Sequence, residues 1–441
     1  MIANPSAEVD LTIKNNLKNK LDQSDKAFHR WYRFVLSFPP HLVRRYIHEF
    51  KLSKDDLILD PFCGTGTTLV EAKIQNINSI GIEANPFAHF ATSVKCDWNI
   101  SGTELLELAK KIYNSVTMQI LSNGITDEPS KQNVKVPQLA QLTPEQDKLL
   151  LKNSISPLPL HKCLKLIEEI NKYNKTPYYK YLSLAVANAA VHQFSNLKFG
   201  PEVGVGKIKD DFPVISCWLD QIEKIVTDLE QSLSITTTAQ AEVFLNDSRN
   251  VIDYLNGRKV SAVITSPPYP NEKDYTRTTR LESVLLGFIN DKSDLRKFKK
   301  TLLRSNTRGV YIGDADDHYV KDFLEIQRIA EEIESQRIRL GKTSGFEKLY
   351  HKVAKLYFGG IAKHLMELQP ILKPNAHLAY VVGDQASYLR VMIRTGNLIA
   401  GIARSLGYEL VRSDLFRTRF STATKTDLNE EVVILRWPGK K

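Results

Sequence analysis

The sequence predicts an α/β protein with a doubly wound, mainly parallel sheet and a mainly helical insertion. The first observation is a short apolar run at residues 57–60, followed by a Gly/Thr turn, a helical segment and a second apolar run at 79–83. Such a strand–turn–helix–strand unit is typical of parallel sheets. The second observation is that strand-like runs return only at 242–247 and 262–265. A long helical stretch therefore interrupts the sheet.

Length and composition exclude several classes of protein. The 441 residues suffice for roughly two or three packing units, and a hydrophobic content of 42% excludes a mostly disordered chain. The four cysteines form no CxxC pair, which argues against a disulfide scaffold and a structural zinc site. The N-terminus lacks the apolar core of a signal peptide, and no apolar run reaches the ~18 residues of a membrane span. We therefore expect a cytoplasmic protein with no metal and no membrane partner.

The chain is expected to divide into a leader, one α/β domain and two insertions. Residues 1–26 form a polar leader, and residues 27–96 and 242–441 form the α/β domain. Residues 97–241 form the mainly helical insertion, and residues 290–345 form a smaller, irregular one. Within the α/β domain the pattern predicts helices at 41–50, 68–75, 346–372 and 398–406, a strand at 377–383, and closing strands at 409–415 and 431–437.

The turn after the first strand has the pattern of a ligand-binding loop. In residues 60–68 (DPFCGTGTT), Gly64 and Gly66 allow a sharp turn and the close approach of a ligand. Glu83 ends the next strand about twenty residues later, where a carboxylate can hold ribose hydroxyls. The loop lacks the third glycine of GxGxxG and has no GK[ST], which argues against NAD, FAD and a phosphate-binding P-loop. The alternative is an ordinary tight turn between strand and helix.

A second candidate motif, Thr265-Ser266-Pro267-Pro268-Tyr269, follows a strand of buried type. Two consecutive prolines stiffen the loop and leave its carbonyl groups free. The Ser266 hydroxyl and the Pro267 carbonyl could accept the two hydrogens of a nucleobase amine, so that its lone pair points at a methyl donor. Tyr269 offers a flat face for a base rotated out of its stack. The alternative is an ordinary Pro-rich turn.

These motifs resemble motifs I and IV of the S-adenosyl-L-methionine (SAM)-dependent DNA amino-methyltransferases, and residues 81–86 (GIEANP) resemble their motif II. The resemblance covers about 27–96 and 242–437. It implies a Rossmann-like class I methyltransferase sheet, SAM as cofactor, S-adenosyl-L-homocysteine as product, and double-stranded DNA as partner. It also implies a role in a restriction-modification or defence system, with a cognate endonuclease or defence proteins as candidate partners.

The resemblance implies roles for individual residues. Asp247 would accept the adenine amino group of SAM, and the segment around residues 29–40 would wrap its methionine end. The catalytic residues would be Ser266, Pro267, Pro268 and Tyr269. The cofactor-binding residues would be Phe38, Pro39, Asp60, Pro61, Phe62, Gly64, Gly66, Thr67, Thr68, Glu83, Ala84, Asp247 and Ser248.

The choice of methylated base remains open in the sequence. Ser-Pro-Pro-Tyr resembles the cytosine-N4 branch, whereas adenine-N6 enzymes more often have Asp or Asn at the position of Ser266. Cytosine N4 is therefore the first expectation and adenine N6 the second. Methylation at cytosine C5 needs a cysteine nucleophile, and no cysteine lies in the catalytic loop. The sequence also permits an RNA amino-methyltransferase or a non-catalytic nucleic-acid-binding relative.

Basic residues follow the catalytic motif closely. Residues 271–310 carry ten Lys/Arg against five Asp/Glu, and residues 386–420 carry six arginines against two acids. Placement beside the base pocket favours contact with DNA phosphates, although a solvated charged face is the alternative. Residues 383–385 and 417–421 are further candidates for the active site or the DNA surface, and either insertion could recognise the target sequence. The expected DNA-binding residues are Lys273, Arg277, Arg280, Lys297, Lys300, Arg304, Arg417 and Arg419.

Overall fold

The computed structural model describes residues 21–34, 37–129, 138–200, 202–421 and 424–439. Of the expected leader, only residues 21–26 belong to this part. Its strands are β1 (Leu57–Asp60), β2 (Asn78–Glu83), β3 (Leu197–Phe199), β4 (Val203–Val205), β5 (Ala241–Leu245), β6 (Val260–Thr265), β7 (Leu372–Gly383), β8 (Glu409–Ser421) and β9 (Thr426–Trp437).

Helices pack on the sheet and form most of the insertion between β2 and β5. In the described residues they are α1 (Pro40–Glu49), α2 (Thr67–Ile74), α3 (Pro86–Lys95), α4 (Gly102–Ser122), α5 (Pro144–Asp147), α6 (Pro157–Asn171), α7 (Tyr179–Ala189), α8 (Val214–Ser232), α9 (Arg280–Leu285), α10 (Lys292–Thr301), α11 (Leu324–Arg339), α12 (Tyr350–Leu368) and α13 (Thr395–Ser405). A π-helical turn, Ala190–Phe194, continues α7. None of the helices described is long and apolar enough to cross a membrane.

The described strands form a seven-stranded sheet and a separate two-stranded hairpin. The order in the large sheet is β5-β2-β1-β6-β7-β9-β8, and β3 pairs with β4. Strands β5, β2, β1, β6 and β7 are parallel, whereas β9 runs antiparallel to both of its neighbours. The fold prediction is confirmed, because this is a mainly parallel, Rossmann-like sheet of the kind found in methyltransferases.

The course of the chain creates a crevice at the middle of the sheet. From β1 the chain passes to β2 on one side, and from β5 it crosses back to β6 on the other side of β1. Ligands of open α/β sheets bind at such a switch point, beyond the carboxyl ends of the strands. The Thr68 hydroxyl, on α2, donates a 3.2 Å hydrogen bond to the Ile264 carbonyl on β6. The helix after the Gly-rich loop is thus attached to the strand before the Pro-Pro motif.

The helical insertion packs against the N-terminal segment of the α/β domain. The buried carboxylate of Asp228, on α8, accepts hydrogen bonds from the Phe28 backbone N–H (3.0 Å), Arg30 Nε (3.0 Å) and Trp31 Nε1 (2.8 Å). Between β2 and β5 the described residues form mainly helices, apart from the β3–β4 hairpin. Within this region the π-helical turn ends at Phe194, and β3 follows it.

Two other expectations differ from the structure. The segment 290–345, expected to be irregular, contains α10 and α11. The closing strands extend beyond their expected limits and pair as far as Ser421 and Thr426. Most residues of their extensions are polar and at least partly exposed, so burial does not produce the apolar runs on which strand prediction depends. The cross-strand pair of Arg417 with Glu430 helps to hold them together.

Candidate active site

A cavity of about 760 Å³ opens beyond the carboxyl ends of the central strands. Its walls include Phe62 and Gly64 from the Gly-rich loop, Glu83 from the end of β2, and the whole Ser266–Tyr269 segment. A volume of this size is typical of a cleft for a small molecule or cofactor. The two motifs, far apart in the chain, therefore meet in one crevice.

Glycines shape the loop after β1. Gly64 and Gly66 have φ angles of +53° and +80°, in the left-handed region that favours glycine. A Cβ on Gly66 would lie 2.6 Å from Thr92 Cγ2, whereas a Cβ on Gly64 would meet no atom within 4 Å. The Thr92 hydroxyl donates to the Gly64 carbonyl (2.8 Å), and Lys95 Nζ donates to the Thr65 carbonyl (2.6 Å). Helix α3 thus supports the loop and leaves the space at Gly64 open.

The carboxylate of Glu83 joins the loops after β1 and β2. It accepts hydrogen bonds from the backbone N–H groups of Gly64 (2.8 Å) and Asn85 (2.7 Å). Burial raises its pKa to about 7, although these two hydrogen bonds favour the charged form. A carboxylate has about four acceptor positions. Glu83 can therefore also accept hydrogen bonds from the hydroxyls of a ribose.

Asp60 lies beneath the cavity rather than in its wall. It is fully buried, and it accepts hydrogen bonds from the Thr265 hydroxyl (2.6 Å) and the Phe62 backbone N–H (3.2 Å). Its other carboxylate oxygen has no hydrogen-bond partner among the described residues. Burial raises its pKa to about 6. Asp60 therefore positions Phe62 and the end of β6.

The segment before α1 combines two structural roles. Trp31 and Tyr32 are buried in the core shared with the helical insertion. Phe34, Ser37 and Phe38 line the cavity. The Ser37 and Thr65 hydroxyls lie 3.4 Å apart, which connects this segment to the Gly-rich loop. Among the described residues of this segment, it is therefore the later ones that can contact a bound cofactor.

Asp247 differs in placement from its neighbour Ser248. Its Oδ1 accepts a 2.9 Å hydrogen bond from Arg249 Nε, and its Oδ2 accepts a 2.6 Å hydrogen bond from Arg249 Nη2. The same guanidinium also pairs with Asp316 in the smaller insertion. Ser248 lines the cavity but Asp247 does not, so the expected contact of Asp247 with adenine stays a prediction.

The other residues expected to bind the cofactor divide in the same way. Three of them line the cavity: Pro61, Thr67 and Ala84. Four do not: Pro39, Asp60, Gly66 and Thr68.

The Ser266–Tyr269 loop presents acceptors to the cavity. The Ser266 hydroxyl donates a 3.1 Å hydrogen bond to the Val381 carbonyl on β7. Because its proton is engaged there, its lone pairs remain available to a donor in the cavity. The Tyr269 backbone N–H donates to the Tyr275 hydroxyl (3.1 Å), which holds the end of the loop.

Gly383, at the end of β7, makes room for the tyrosine ring. A Cβ at this position would lie 2.9 Å from Tyr269 Cε2 and 3.1 Å from Glu430 Cγ. The sequence marked 383–385 as a candidate segment but did not indicate this contact. Within it, Gln385 lines the cavity, whereas buried Asp384 pairs with Arg394 at 2.5 Å.

The basic residues expected at DNA fall into two groups. Lys273, Arg417 and Arg419 line the cavity. Lys297 and Lys300 are exposed on α10, a helix that borders the cavity through Phe298 and Lys299. The positions of the four lysine and arginine residues other than Arg417 suit contact with a bound polyanion, whereas Arg417 pairs with Glu430.

The remaining basic residues are placed differently. Arg304 is buried and donates to both oxygens of Asp314, each at 2.8 Å. Arg280 donates to the Thr276 hydroxyl (2.6 Å) and to backbone carbonyls. Arg277 is half-buried and does not line the cavity. These three side chains are therefore less suited to contact DNA.

Several residues that line the cavity were not predicted from the sequence. Glu202 comes from the hairpin of the helical insertion, Asn306 comes from the smaller insertion, and Glu430 comes from β9. The Asn306 side chain donates a 3.1 Å hydrogen bond to the Lys273 carbonyl, which attaches the smaller insertion to the segment after the Pro-Pro motif. No local pattern marks such positions, because only the folded chain brings them to the cavity.

Comparison with known proteins shows similarities beyond the two motifs. A family model described as DNA methylase, for N6 and N4 enzymes, matches residues 11–92. The type II methyltransferase M.BsoBI of Geobacillus stearothermophilus is 27% identical over 436 residues, covering 91% of this chain and 82% of that protein. M.AvaI of Nostoc sp., also a type II methyltransferase, is 24% identical over 408 residues, covering 87% and 80%. A 70-residue stretch is 39% identical to the type II methyltransferase M.MjaII of Methanocaldococcus jannaschii, covering 16% and 13%.

Proposed function

Because the chain belongs to the DNA amino-methyltransferase family, we propose that it methylates the exocyclic N4 of cytosine in double-stranded DNA. The observation that carries the proposal is the shared cavity, which Glu83 and Phe62 line together with the motif that ends in Tyr269. The choice of cytosine N4 over adenine N6 rests on Ser266, because the N6 branch more often has Asp or Asn at this position.

The cofactor end of the cavity fits an adenosyl group. Glu83 would accept the ribose hydroxyls, and the open space at Gly64 would admit the ligand close to the backbone. Phe34 and Phe38 offer apolar contacts on the side of the segment before α1. When bound, SAM supplies a methyl group on a sulfonium sulfur, so that a C–N bond forms as the C–S bond breaks and the amine releases a proton to water.

The chain contributes positioning of the amine. The Ser266 hydroxyl donates its own proton to the Val381 carbonyl, so its oxygen can accept one hydrogen of the amino group. The Pro267 carbonyl would accept the other. Holding both hydrogens orients the nitrogen lone pair toward the methyl donor. The Tyr269 ring, packed on Gly383, would stack on the base after it has left the duplex.

DNA would approach from the side of α10. Lys297 and Lys300 would contact phosphates, while Lys273 and Arg419, which line the cavity, would lie closer to the base.

We propose that the enzyme protects host DNA in a restriction-modification or defence system. The type II methyltransferase names of its relatives support this role.

The decisive experiment is nucleoside mass spectrometry of DNA from cells that express the chain. We expect N4-methylcytosine, and we expect none from cells that express Gly64→Val, in which a branched residue replaces a left-handed glycine in the cofactor loop. N6-methyladenine instead would show that the base assignment is wrong. Transfer of tritium from labelled SAM to RNA but not to DNA would overturn the proposal.

A further inference from the structure

A buried histidine connects two parts of the cavity wall. His364, on α12, is fully buried and does not itself line the cavity. Its Nδ1 lies 2.8 Å from the carbonyl oxygen of Ser248, in the loop after β5. Its ring contacts Phe62 edge to face, with centroids 5.1 Å apart. Ser248 and Phe62 both line the cavity, and they follow different strands of the sheet.

The hydrogen bonds of His364 specify one tautomer of the ring. The Ser248 carbonyl can only accept, so the proton must be on Nδ1. Nε2 lies 2.8 Å from the Tyr380 hydroxyl and therefore accepts a hydrogen bond from it. Burial lowers the pKa of His364 to about 4, which keeps the ring neutral near pH 7. Tyr380 itself is fully buried on β7, where it pairs with Thr265 of β6.

We propose that His364 is a positioning residue for the cofactor end of the cavity. The Ser248 carbonyl fixes the tautomer of the ring, and the Nδ1–H holds the Ser248 backbone in turn. The Tyr380 hydroxyl fixes the orientation of the ring through Nε2, and the ring packs against Phe62. This inference rests on the proposed function, since it assigns the positioned wall to SAM. An apolar residue of the same size could fill the space, but it would leave the buried Ser248 carbonyl without this donor.

The first test compares three variants by calorimetry with SAM and by steady-state kinetics. For His364→Leu we expect the Kd and KM for SAM to rise about tenfold, as the loss of one buried hydrogen bond implies. We expect kcat at saturating SAM and the Kd for duplex DNA to change less than about twofold. His364→Asn, which keeps an N–H donor near the position of Nδ1, should recover part of the affinity.

The matched control is Tyr408→Phe. The Tyr408 hydroxyl donates a 2.7 Å hydrogen bond to the Leu365 carbonyl, so it is a buried contact with the next residue of the same helix. Tyr408 does not line the cavity, and we expect its variant to bind SAM as the wild type does. An equal loss of affinity in Tyr408→Phe, or none in His364→Leu, would overturn the proposal.

A second measurement keeps the proposal testable if His364→Leu fails to fold. In protein labelled with ¹⁵N-histidine, the ring of His364 in the wild type should show one neutral tautomer, with the proton on Nδ1. Tyr380→Phe should shift the ring signals of His364 and weaken SAM binding. Identical ring signals in both proteins would contradict the role of Tyr380. A wild-type chain that binds no SAM would overturn the proposed function itself, whereas the tautomer assignment would still be tested by the spectra.

Discussion

The side-chain hydroxyl of Thr265 donates a 2.6 Å hydrogen bond to the carboxylate of Asp60. Both residues are fully buried, and they end neighbouring parallel strands, β6 and β1. The bond joins the base of the Pro-Pro loop to the base of the Gly-rich loop. The relative position of the two loops that line the cavity therefore depends on this hydrogen bond, to which each strand contributes one partner.

Thr265→Val removes this donor while preserving the shape of the side chain. The hydrogen bond favours ionised Asp60, so its loss should raise the Asp60 pKa further above its present value of about 6. We expect kcat/KM for SAM at pH 7 to fall about tenfold, and its decline at acidic pH to begin at a higher pH. Profiles from pH 5.5 to 8.5 would measure both effects.

The matched control for Thr265 is Ser261→Ala. Ser261 accepts a 3.3 Å hydrogen bond from the Leu57 backbone N–H and links the same two strands at their opposite ends. Its loss should leave the pH profile in place. A shift as large as that of Thr265→Val would show that general loosening of the strands, and not Asp60, is responsible.

Ser266→Ala tests the acceptor for the amine. The variant removes a hydroxyl that faces the cavity and keeps the prolines and Tyr269. By analogy with the loss of one preorganised polar group at a reacting centre, we expect kcat to fall about a hundredfold. The Kd for SAM should stay within about twofold of the wild type. Full turnover on a cognate duplex would refute the role assigned to the hydroxyl.

Gly383→Ala should disturb the Tyr269 ring. The added Cβ would lie 2.9 Å from Tyr269 Cε2, so the ring must move. We expect kcat/KM for DNA to fall at least about tenfold, because a small displacement in a preorganised site is costly, while SAM affinity is retained. Gly345→Ala is the control, since its Cβ would meet no atom within 4 Å. Equal activity of the two variants would contradict the proposed stacking role.

SAM binding should depend on pH through Glu83. Its pKa is raised to about 7, and only the ionised carboxylate accepts at every oxygen. Affinity should therefore be highest above pH 7 and fall below it, by at most about tenfold for each unit. Calorimetry between pH 5.5 and 8.5 would show this.

Two variants separate Glu83 from other acids of the cavity. Glu83→Gln should bind SAM more weakly and with a flatter pH dependence. Glu272→Gln should retain the wild-type dependence, because the Glu272 carboxylate bonds to the Thr307 hydroxyl (2.9 Å) and backbone N–H (3.2 Å) in the smaller insertion and not to the loops after β1 and β2. A wild-type profile that is flat from pH 5.5 to 8.5 would show that Glu83 does not control binding.

Lys297→Ala and Lys300→Ala test the approach of DNA along α10. Each should weaken binding to cognate and unrelated duplexes alike and reduce the slope of log K against log salt by about one. Lys54→Ala is the control, because Lys54 is exposed just before the amino end of β1, whereas the cavity opens beyond the carboxyl ends of the strands. An unchanged salt slope in both α10 variants would place the phosphates elsewhere.

Much of the site was visible in the sequence because its parts carry local constraints. Left-handed glycines, a carboxylate at the end of a strand and consecutive prolines each restrict the backbone within a few residues. These constraints identified the loops containing Phe62, Glu83 and Tyr269, and the structure places all three in one cavity. The sheet followed from the same reasoning, since apolar runs mark strands buried on both faces.

The sequence alone thus identified the fold class, the two motifs and the kind of ligand that they suit. Folding determined which of the basic residues expected at DNA remain exposed: Arg304 is held by Asp314, whereas Lys297 is exposed. It also supplied Glu202, Gly383 and the link from His364 to Ser248. Such contacts join residues that are distant in the chain. Their geometry depends on how whole strands and helices pack, and no short stretch of sequence contains that information.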